Sequence, residues 1–196
     1  MKILSWNAQG LKRVQVTQEI KILLRIHKSN IIFLLETMVN ETNLLRILPS
    51  LGFDDFDYVL PNNHSGGIVV LWNNGAIHAS TLAKDQRIIH TLVHDTAPAQ
   101  TIVISSIYAP TQLRQKDQFW TCLLEFNEAI DSPWCLIDDF NEIGALNEKR
   151  GGIISSGNKC TLLNHFLETI NAETVPVDRL LFTWKRRAHT RLSMKD

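Results

Sequence analysis

The sequence has few cysteines and no net charge. Only Cys122, Cys135 and Cys160 occur among its 196 residues, an odd number at wide spacings. This argues against a disulfide framework or a paired-thiolate zinc site and favours a reducing, intracellular compartment. Twenty Lys and Arg residues balance 20 Asp and Glu residues. The total charge therefore provides no attraction to nucleic acid or membrane, and such a partner must be recognised by a local patch.

Long apolar runs and low-complexity segments are also missing. No apolar run reaches the roughly 18 residues that a membrane helix needs. The N-terminus starts with strand-like sequence and shows no apolar leader before a cleavage site. With 9 Gly, 6 Pro and 44% hydrophobic residues, the composition excludes a collagenous or disordered chain. We therefore predict one globular domain over residues 1–196, intracellular and without a membrane partner.

Apolar periodicity predicts helices and strands at both ends of the chain. Residues 2–7 alternate as in a strand, and residues 16–27 have the spacing of an amphipathic helix. The continuous apolar run 31–35 is typical of a strand buried on both faces. A short helix is expected around residues 44–48, ending by Gly52. Further along, helical spacing covers 119–130 and 161–170, with strands at 134–138 and 180–184.

The middle of the chain has the pattern of several short strands. Strand-like runs occupy residues 67–72, 76–82, 87–94 and 101–108, separated by turn signals such as Asn73-Asn74-Gly75. This spacing predicts antiparallel hairpins. Because helices flank a run of hairpins at both ends, two packed sheets with helices outside are favoured.

Polar residues follow four of the apolar strands. They are Asn7, Glu36, Tyr108 and the segment Asp139-Phe140-Asn141. Strand ends are where α/β folds place functional sites, because rigid strands hold the geometry. Carboxylates, amides and a phenol suit Mg²⁺ and phosphate better than zinc or a nucleophilic triad.

Each of these signals also has a purely structural explanation. Glu36 is then the first solvated residue after a buried strand, and Asn7 a local cap. Asp139 to Asn141 form an Asx turn that closes a strand. Tyr108 is an ordinary strand aromatic with its hydroxyl at the surface. Taken one at a time, the signals leave both explanations open.

Taken in order, the motifs resemble one family. The ordered set is WN-x-x-G (6–10), LLET (34–37), SGGIVVLW (65–72), IYAP (107–110), PWCLIDDFNEI (133–143), EKRGG (148–152) and FTW (182–184). It resembles the endonuclease/exonuclease/phosphatase superfamily over nearly the whole chain. Within that superfamily it is most similar to the endonuclease domain of plant LINE-type non-LTR retrotransposons, relatives of apurinic/apyrimidinic endonucleases.

The resemblance implies a four-layer α/β sandwich and a metal-dependent phosphodiesterase site. Glu36 corresponds to a metal-ligating carboxylate and Asn7 to the amide beside a Mg²⁺ or Mn²⁺ ion. Asp139 corresponds to the residue that orients or deprotonates the attacking water. The remaining positions correspond to phosphate-contacting or substrate-contacting residues, namely Asn141, Tyr108 and Thr183.

The chain also departs from the family pattern. Ala8-Gln9 stands where relatives carry Cys-Arg, which removes a cation near the phosphate. Asp138 stands where they carry Gly. The family's final strands, with a Ser-Asp-His motif, have no counterpart, and the chain stops at SMKD (193–196). These departures predict a C-terminally truncated domain with missing strands and little or no activity.

The resemblance thus implies an enzyme that nicks DNA for a retrotransposon, with nuclear localisation. Weak contact with the DNA backbone is expected, helped by the basic segment 185–195. Two alternatives stay open: a folded but catalytically inactive domain that binds DNA weakly, and a phosphodiesterase or phosphatase acting on another phosphoester. His90 and His94 are expected to be exposed on one strand face, with a metal pair as the alternative.

Overall fold

The computed structural model describes residues 1–62, 65–75, 77–97, 99–144 and 161–176. Two compact units are distinguished, Met1–Asn141 and Glu142–Asp196. The predicted strand 180–184, the EKRGG and FTW motifs, and Thr183 lie outside the described residues. All elements named below except the last helix belong to the first unit.

The first unit has eight strands and three helices in its described residues. The strands are β1 (Ile3–Asn7), β2 (Ile31–Leu35), β3 (Asp55–Val59), β4 (Ile68–Trp72), β5 (Ile77–Lys84), β6 (Ile88–Thr96), β7 (Ala99–Tyr108) and β8 (Trp134–Asp139). The helices are α1 (Val14–His27), α2 (Glu41–Ile47), which continues as a 3₁₀ turn (Leu48–Leu51), and α3 (Leu113–Glu128). In the second unit, α4 spans Thr161–Thr169.

The strands form two four-stranded sheets. Their orders are β1-β2-β4-β3 and β5-β6-β7-β8. Within them, β1 pairs parallel to β2 and β7 parallel to β8, while every other pair is antiparallel. The predicted pair of mainly antiparallel sheets is therefore confirmed.

Apolar side chains hold the first unit together in four layers. The two sheets share a core that joins Phe33 and Val70 of the first sheet to Ile89 and Ile104 of the second. On the other face of the first sheet, α1 and α2 pack through residues such as Ile20 and Leu44. On the outer face of the second sheet, α3 stacks the ring of Phe126 on that of His90, with centroids 3.6 Å apart.

Two features of the fold differ from the sequence prediction. The turn Asn73-Asn74-Gly75 makes no hairpin, because β4 pairs with β2 and β3 while β5 pairs with β6. All five residues of β4 are buried, so this strand belongs in the centre of a sheet and the turn carries the chain to the second sheet. In addition, β3 was not predicted. Its two aspartates weaken the strand pattern, because aspartate is uncommon in strands. Pairing with β4 stabilises the strand despite this weak local preference.

None of the helices in the described ranges is long and apolar enough to cross a membrane.

Candidate active site

The two parallel strand pairs place polar residues at matching sheet ends. In the first sheet, Asn7 pairs with Leu35, so Glu36 follows directly beside it. In the second sheet, Tyr108 pairs with Asp139. Parallel neighbours end at the same edge of a sheet, and face-to-face packing brings the two edges together. Four side chains far apart in sequence thus converge.

Asn7 joins the two carboxylates at this edge. Its amide Nδ2 donates to Glu36 Oε1 at 3.0 Å and to Asp139 Oδ2 at 3.3 Å. Because both oxygens contact one nitrogen, they are separated by at most about 6.3 Å. One amide therefore fixes the distance between two negative charges that would otherwise repel each other.

Tyr108 is the third member of this cluster. Burial raises the pKa of its phenol, and the negative charges of Glu36 and Asp139 raise it further. A hydrogen bond from the phenol to Glu36 acts in the same direction, and only nearby Arg87 lowers the pKa. The phenol therefore stays protonated at neutral pH and is a hydrogen-bond donor rather than a base.

The segment after β8 fixes Asp139 and Asn141 relative to each other. The backbone N–H of Asn141 donates to Asp139 Oδ1 at 3.0 Å, and Asn141 Nδ2 donates to the Ala109 carbonyl at 2.6 Å. The Asx turn is therefore formed, and the other oxygen of Asp139 still contacts Asn7. The structural explanation and the functional one are compatible here, because the two carboxylate oxygens have different partners.

The backbone at Glu36 is held in an unusual conformation. Glu36 has φ +49° and Met38 φ +50°, values in the left-handed region that non-glycine residues rarely adopt. The next two residues are tied to a glycine pair, since Thr37 N–H donates to the Gly67 carbonyl at 3.2 Å and Met38 N–H to the Gly66 carbonyl at 3.3 Å. Backbone strain of this kind is concentrated at functional sites, where a side chain must be held in one orientation.

Gly67 has no room for a side chain. Its φ is +88°, and a Cβ there would lie 2.2 Å from Thr37 Oγ1. This close approach lets the loop after β2 and the loop before β4 form backbone hydrogen bonds with each other. The Gly66-Gly67 pair therefore supports the position of Glu36 without contributing a functional group.

Sequence reasoning missed two cations beside this cluster. Arg87 donates through Nη1 to the Tyr108 carbonyl at 3.5 Å, and Lys116 Nζ donates to the Asn141 carbonyl at 3.3 Å. Lys116 is buried on the same face of α3 as Phe119 and Trp120. A lysine at an apolar position of the helical pattern was therefore a signal in the sequence that this side chain has a specific role. Arg87 precedes β6 and lies opposite Tyr108 because β6 pairs antiparallel with β7, so the predicted hairpin was the signal that could have found it.

The donor set fits a hard divalent cation. Carboxylate and amide oxygens are the ligands that Mg²⁺ and Mn²⁺ prefer, and Mg²⁺ is commonly held by one or two carboxylates with several waters. Within the described residues there is no cluster of three His, Cys, Asp or Glu side chains, so a dedicated protein cage is absent there. Asn7 Oδ1 accepts from the Gln9 N–H at 3.3 Å, while its nitrogen faces the carboxylates, so the oxygens at this cluster that fit a metal are those of Glu36 and Asp139.

The structure thus brings five of the six predicted site residues to one edge: Asn7, Glu36, Tyr108, Asp139 and Asn141. The sixth, Thr183, lies outside the described residues.

Comparison with known proteins finds similarity in structure only. No protein-family model and no curated protein matches the sequence. An AP endonuclease from Leishmania major has a TM-score of 0.66 at 16% identity, covering 87% of this chain and 66% of its own. The endonuclease domain of TRAS1, a telomere-specific non-LTR retrotransposon, has a TM-score of 0.62 at 12% identity, covering 86% and 71%.

A third similar structure is the 3′ phosphatase NExo from Neisseria, bound to a product DNA hairpin. Its TM-score is 0.55 at 17% identity, with 76% of this chain and 60% of that chain covered. This chain therefore spans about two thirds of the length of the solved proteins that it resembles. At such low identities the similarity establishes the fold. The chain has the fold of the endonuclease/exonuclease/phosphatase superfamily.

Proposed function

We propose that this chain is a divalent-metal-dependent phosphodiesterase domain that nicks DNA, of the type found in LINE retrotransposons. The observation that carries the proposal is the amide of Asn7, which holds the Glu36 and Asp139 carboxylates together where both sheets end. The structural neighbours that support it are an AP endonuclease, a retrotransposon endonuclease and a DNA-bound phosphatase.

The side chains have complementary roles in this proposal. Asp139 accepts a proton from the attacking water or orients it for in-line displacement. The Tyr108 phenol, which stays protonated, donates to a phosphate oxygen. The Asn141 amide is fixed by its bond to the Ala109 carbonyl, which leaves one N–H for the substrate. Donors fixed before the reaction stabilise the charge that develops in the transition state.

Glu36 is the residue proposed to hold the metal, with Asn7 beside it. When bound, Mg²⁺ or Mn²⁺ would neutralise charge on the phosphoryl oxygens and the leaving group. The left-handed backbone at Glu36 and its hydrogen bonds from Asn7 and Tyr108 set the direction of the carboxylate.

Arg87 and Lys116 contribute the positive charge of the site. Both lie within hydrogen-bond distance of backbone carbonyls at the functional edge. We propose that Arg87 supplies a phosphate-facing cation in place of the arginine that the resembled family carries at the position of Gln9. With zero net charge on the chain, such local cations provide weak attraction to the DNA backbone.

A plasmid-nicking assay with Mg²⁺ tests the proposal. We expect slow conversion of supercoiled to nicked DNA that falls at least about 100-fold in Asp139→Ala, since it loses the group that aligns water. The matched control is Asp131→Ala, which removes an exposed carboxylate away from the site. Equal nicking by the parent chain and Asp139→Ala, or none at high enzyme concentration, would contradict the enzymatic proposal and leave the inactive DNA-binding domain.

A phosphatase acting on DNA ends is the second candidate. The similarity to a 3′ phosphatase bound to a DNA hairpin favours it. Two hairpin oligonucleotides separate the two reactions: one carries a 3′-phosphate, and the other has internal phosphodiesters but no terminal phosphate. Release of inorganic phosphate without strand cleavage would favour the phosphatase.

A further inference from the structure

A solvent-open cavity of about 510 Å³ lies in the first unit, lined by residues from α1, the 3₁₀ turn and the loops before β2, before β3 and after β4. Asn30, which lines it, precedes β2, whereas Glu36 follows that strand. A five-residue strand spans roughly 17 Å. The cavity is therefore at the opposite end of the first sheet from the candidate active site, and a ligand there would not reach Asp139.

Three cations form one wall of this cavity. Lys21, Arg25 and Lys28 line it, and their spacing of four and three residues places them on one side of α1 and its C-cap. No Asp or Glu lines the cavity. In the described ranges of the chain, the ion pairs join Met1 to Asp95 and Lys84 to Asp57, so none involves these three cations.

The helix dipole explains only part of this arrangement. Cations in the last turn of a helix are favourable by themselves, which accounts for Arg25. Lys21 is about two turns before the end of α1, outside the range of that effect. Ser50 and Asn73 also line the cavity, as does Phe53, which packs against the core as well. Cationic, hydroxyl, amide and aromatic residues therefore line one space.

We propose that this cavity is a second binding site, which takes a nucleotide through its phosphate groups. Lys21, Arg25 and Lys28 would pair with the phosphates, and Phe53 would contact the base. The volume lies within the range of small-ligand sites, about 300–1,000 Å³. Combined cationic and aromatic surfaces are the usual means of holding a nucleotide without sequence readout. The nucleotide is either free or one unit of a single strand.

Titration calorimetry in EDTA tests this site apart from the proposed catalytic function. The probes are ATP, inorganic tripolyphosphate and a ten-residue oligothymidylate. We expect Arg25→Glu to weaken binding at least about tenfold, since it turns an attractive charge into a repulsive one. Arg46→Glu is the matched control, because Arg46 is also exposed in the last turn of a helix but does not line the cavity.

The outcomes separate the ligand sources and the competing explanations. If ATP binds more tightly than the oligothymidylate and its binding depends on Arg25, the site is assigned to a free nucleotide. If the oligothymidylate binds more tightly than ATP, the site is assigned to a single strand. Asp139→Ala should bind ATP as the parent does, whether or not the chain nicks DNA. Three results would overturn the proposal: no probe binding below about 1 mM, unchanged binding in Arg25→Glu, or an equal loss in Arg46→Glu. Thermal unfolding of each variant checks that it is folded.

Discussion

Burial determines the protonation state of His90. The sequence predicted an exposed histidine on a strand face, which is true of His94 but wrong for His90. His90 is 7% exposed, and its imidazole stacks on Phe126 with Nδ1 2.6 Å from Ser105 Oγ. Burial lowers its pKa from 6.5 to about 4. Within the described residues, no further His, Cys, Asp or Glu joins His90 and His94 in a group of three that could hold a metal ion.

His90 should make the chain less stable in mild acid. In the unfolded state the histidine binds a proton below about pH 6.5, whereas the folded state resists protonation until about pH 4. The free energy of unfolding should therefore fall between those two pH values, by about 2–3 kcal/mol from this group. Urea unfolding at pH 7, 5.5 and 4.5 measures it.

His90→Phe is the informative variant for this prediction. It keeps an aromatic ring against Phe126 and removes the titrating group, so its stability should fall less between pH 6.5 and pH 4.5. His94→Gln, which changes an exposed histidine, should retain the parent's pH dependence. Parallel curves for the parent and His90→Phe would show that other groups cause the acid sensitivity.

At the scale of elements, the loop after β2 depends on the glycines before β4. Gly67→Ala places a methyl group where Thr37 Oγ1 lies, at a φ that L-residues rarely adopt. We expect a loss of about 1–3 kcal/mol in the free energy of unfolding. DNA nicking should fall by more than stability alone explains, because Glu36 is displaced with the loop. Denaturant unfolding and the plasmid assay measure the two effects.

Gly75→Ala is the control for that substitution. A Cβ at Gly75 meets nothing within 4 Å, so this variant should keep its stability within about 0.5 kcal/mol and its full nicking rate. If Gly67→Ala behaves in the same way, the loop has enough freedom to accept a side chain, and the proposed support of Glu36 is wrong.

Strand pairing also determines which of the predicted turns connect the two strands of a hairpin. The sequences flanking Asn73-Asn74-Gly75 have the appearance of a hairpin, yet β4 finds better partners in β2 and β3. A strand with apolar residues on both faces gains most when sheet neighbours and both packing layers cover it. By contrast, β5, β6 and β7 have exposed positions and pair in the predicted sequential order.

At the scale of the whole molecule, a divalent cation should stabilise the folded chain through Glu36. With about 10 mM Mg²⁺ and a dissociation constant of about 1 mM, binding adds about 1.4 kcal/mol. We expect the melting temperature to rise by several degrees over EDTA, and Glu36→Gln to lose most of that rise. Differential scanning fluorimetry with Mg²⁺ and Mn²⁺ measures it without reference to activity.

Glu19→Gln is the control for the metal prediction, because Glu19 is exposed on α1 and should leave the shift unchanged. Equal shifts in the parent and Glu36→Gln would place the metal elsewhere. Tight zinc binding that depends on histidines would contradict the expected preference for oxygen ligands.

The sequence alone was sufficient for the elements with strong periodicity and for the order of the motifs. The buried run 31–35, the amphipathic helix ending at His27 and the positions of Glu36 and Asp139 are local signals, since they depend on neighbouring residues only. The resemblance carried by those motifs correctly predicted the fold. Roles for individual residues stay predictions until the variants are measured.

Only the tertiary structure decided which of these residues meet, and in what environment. The contact of Asn7 with Glu36 and Asp139 spans 29 and 132 residues of sequence, and depends on two sheets packing with their functional edges aligned. The pairing of β6 with β7 brings Arg87 to Tyr108, and the packing of α3 on the second sheet covers His90. Charge interactions and burial depend on distance in space, so a pattern of neighbours along the chain determines the elements but not the pKa values, partners or cavities that their packing creates.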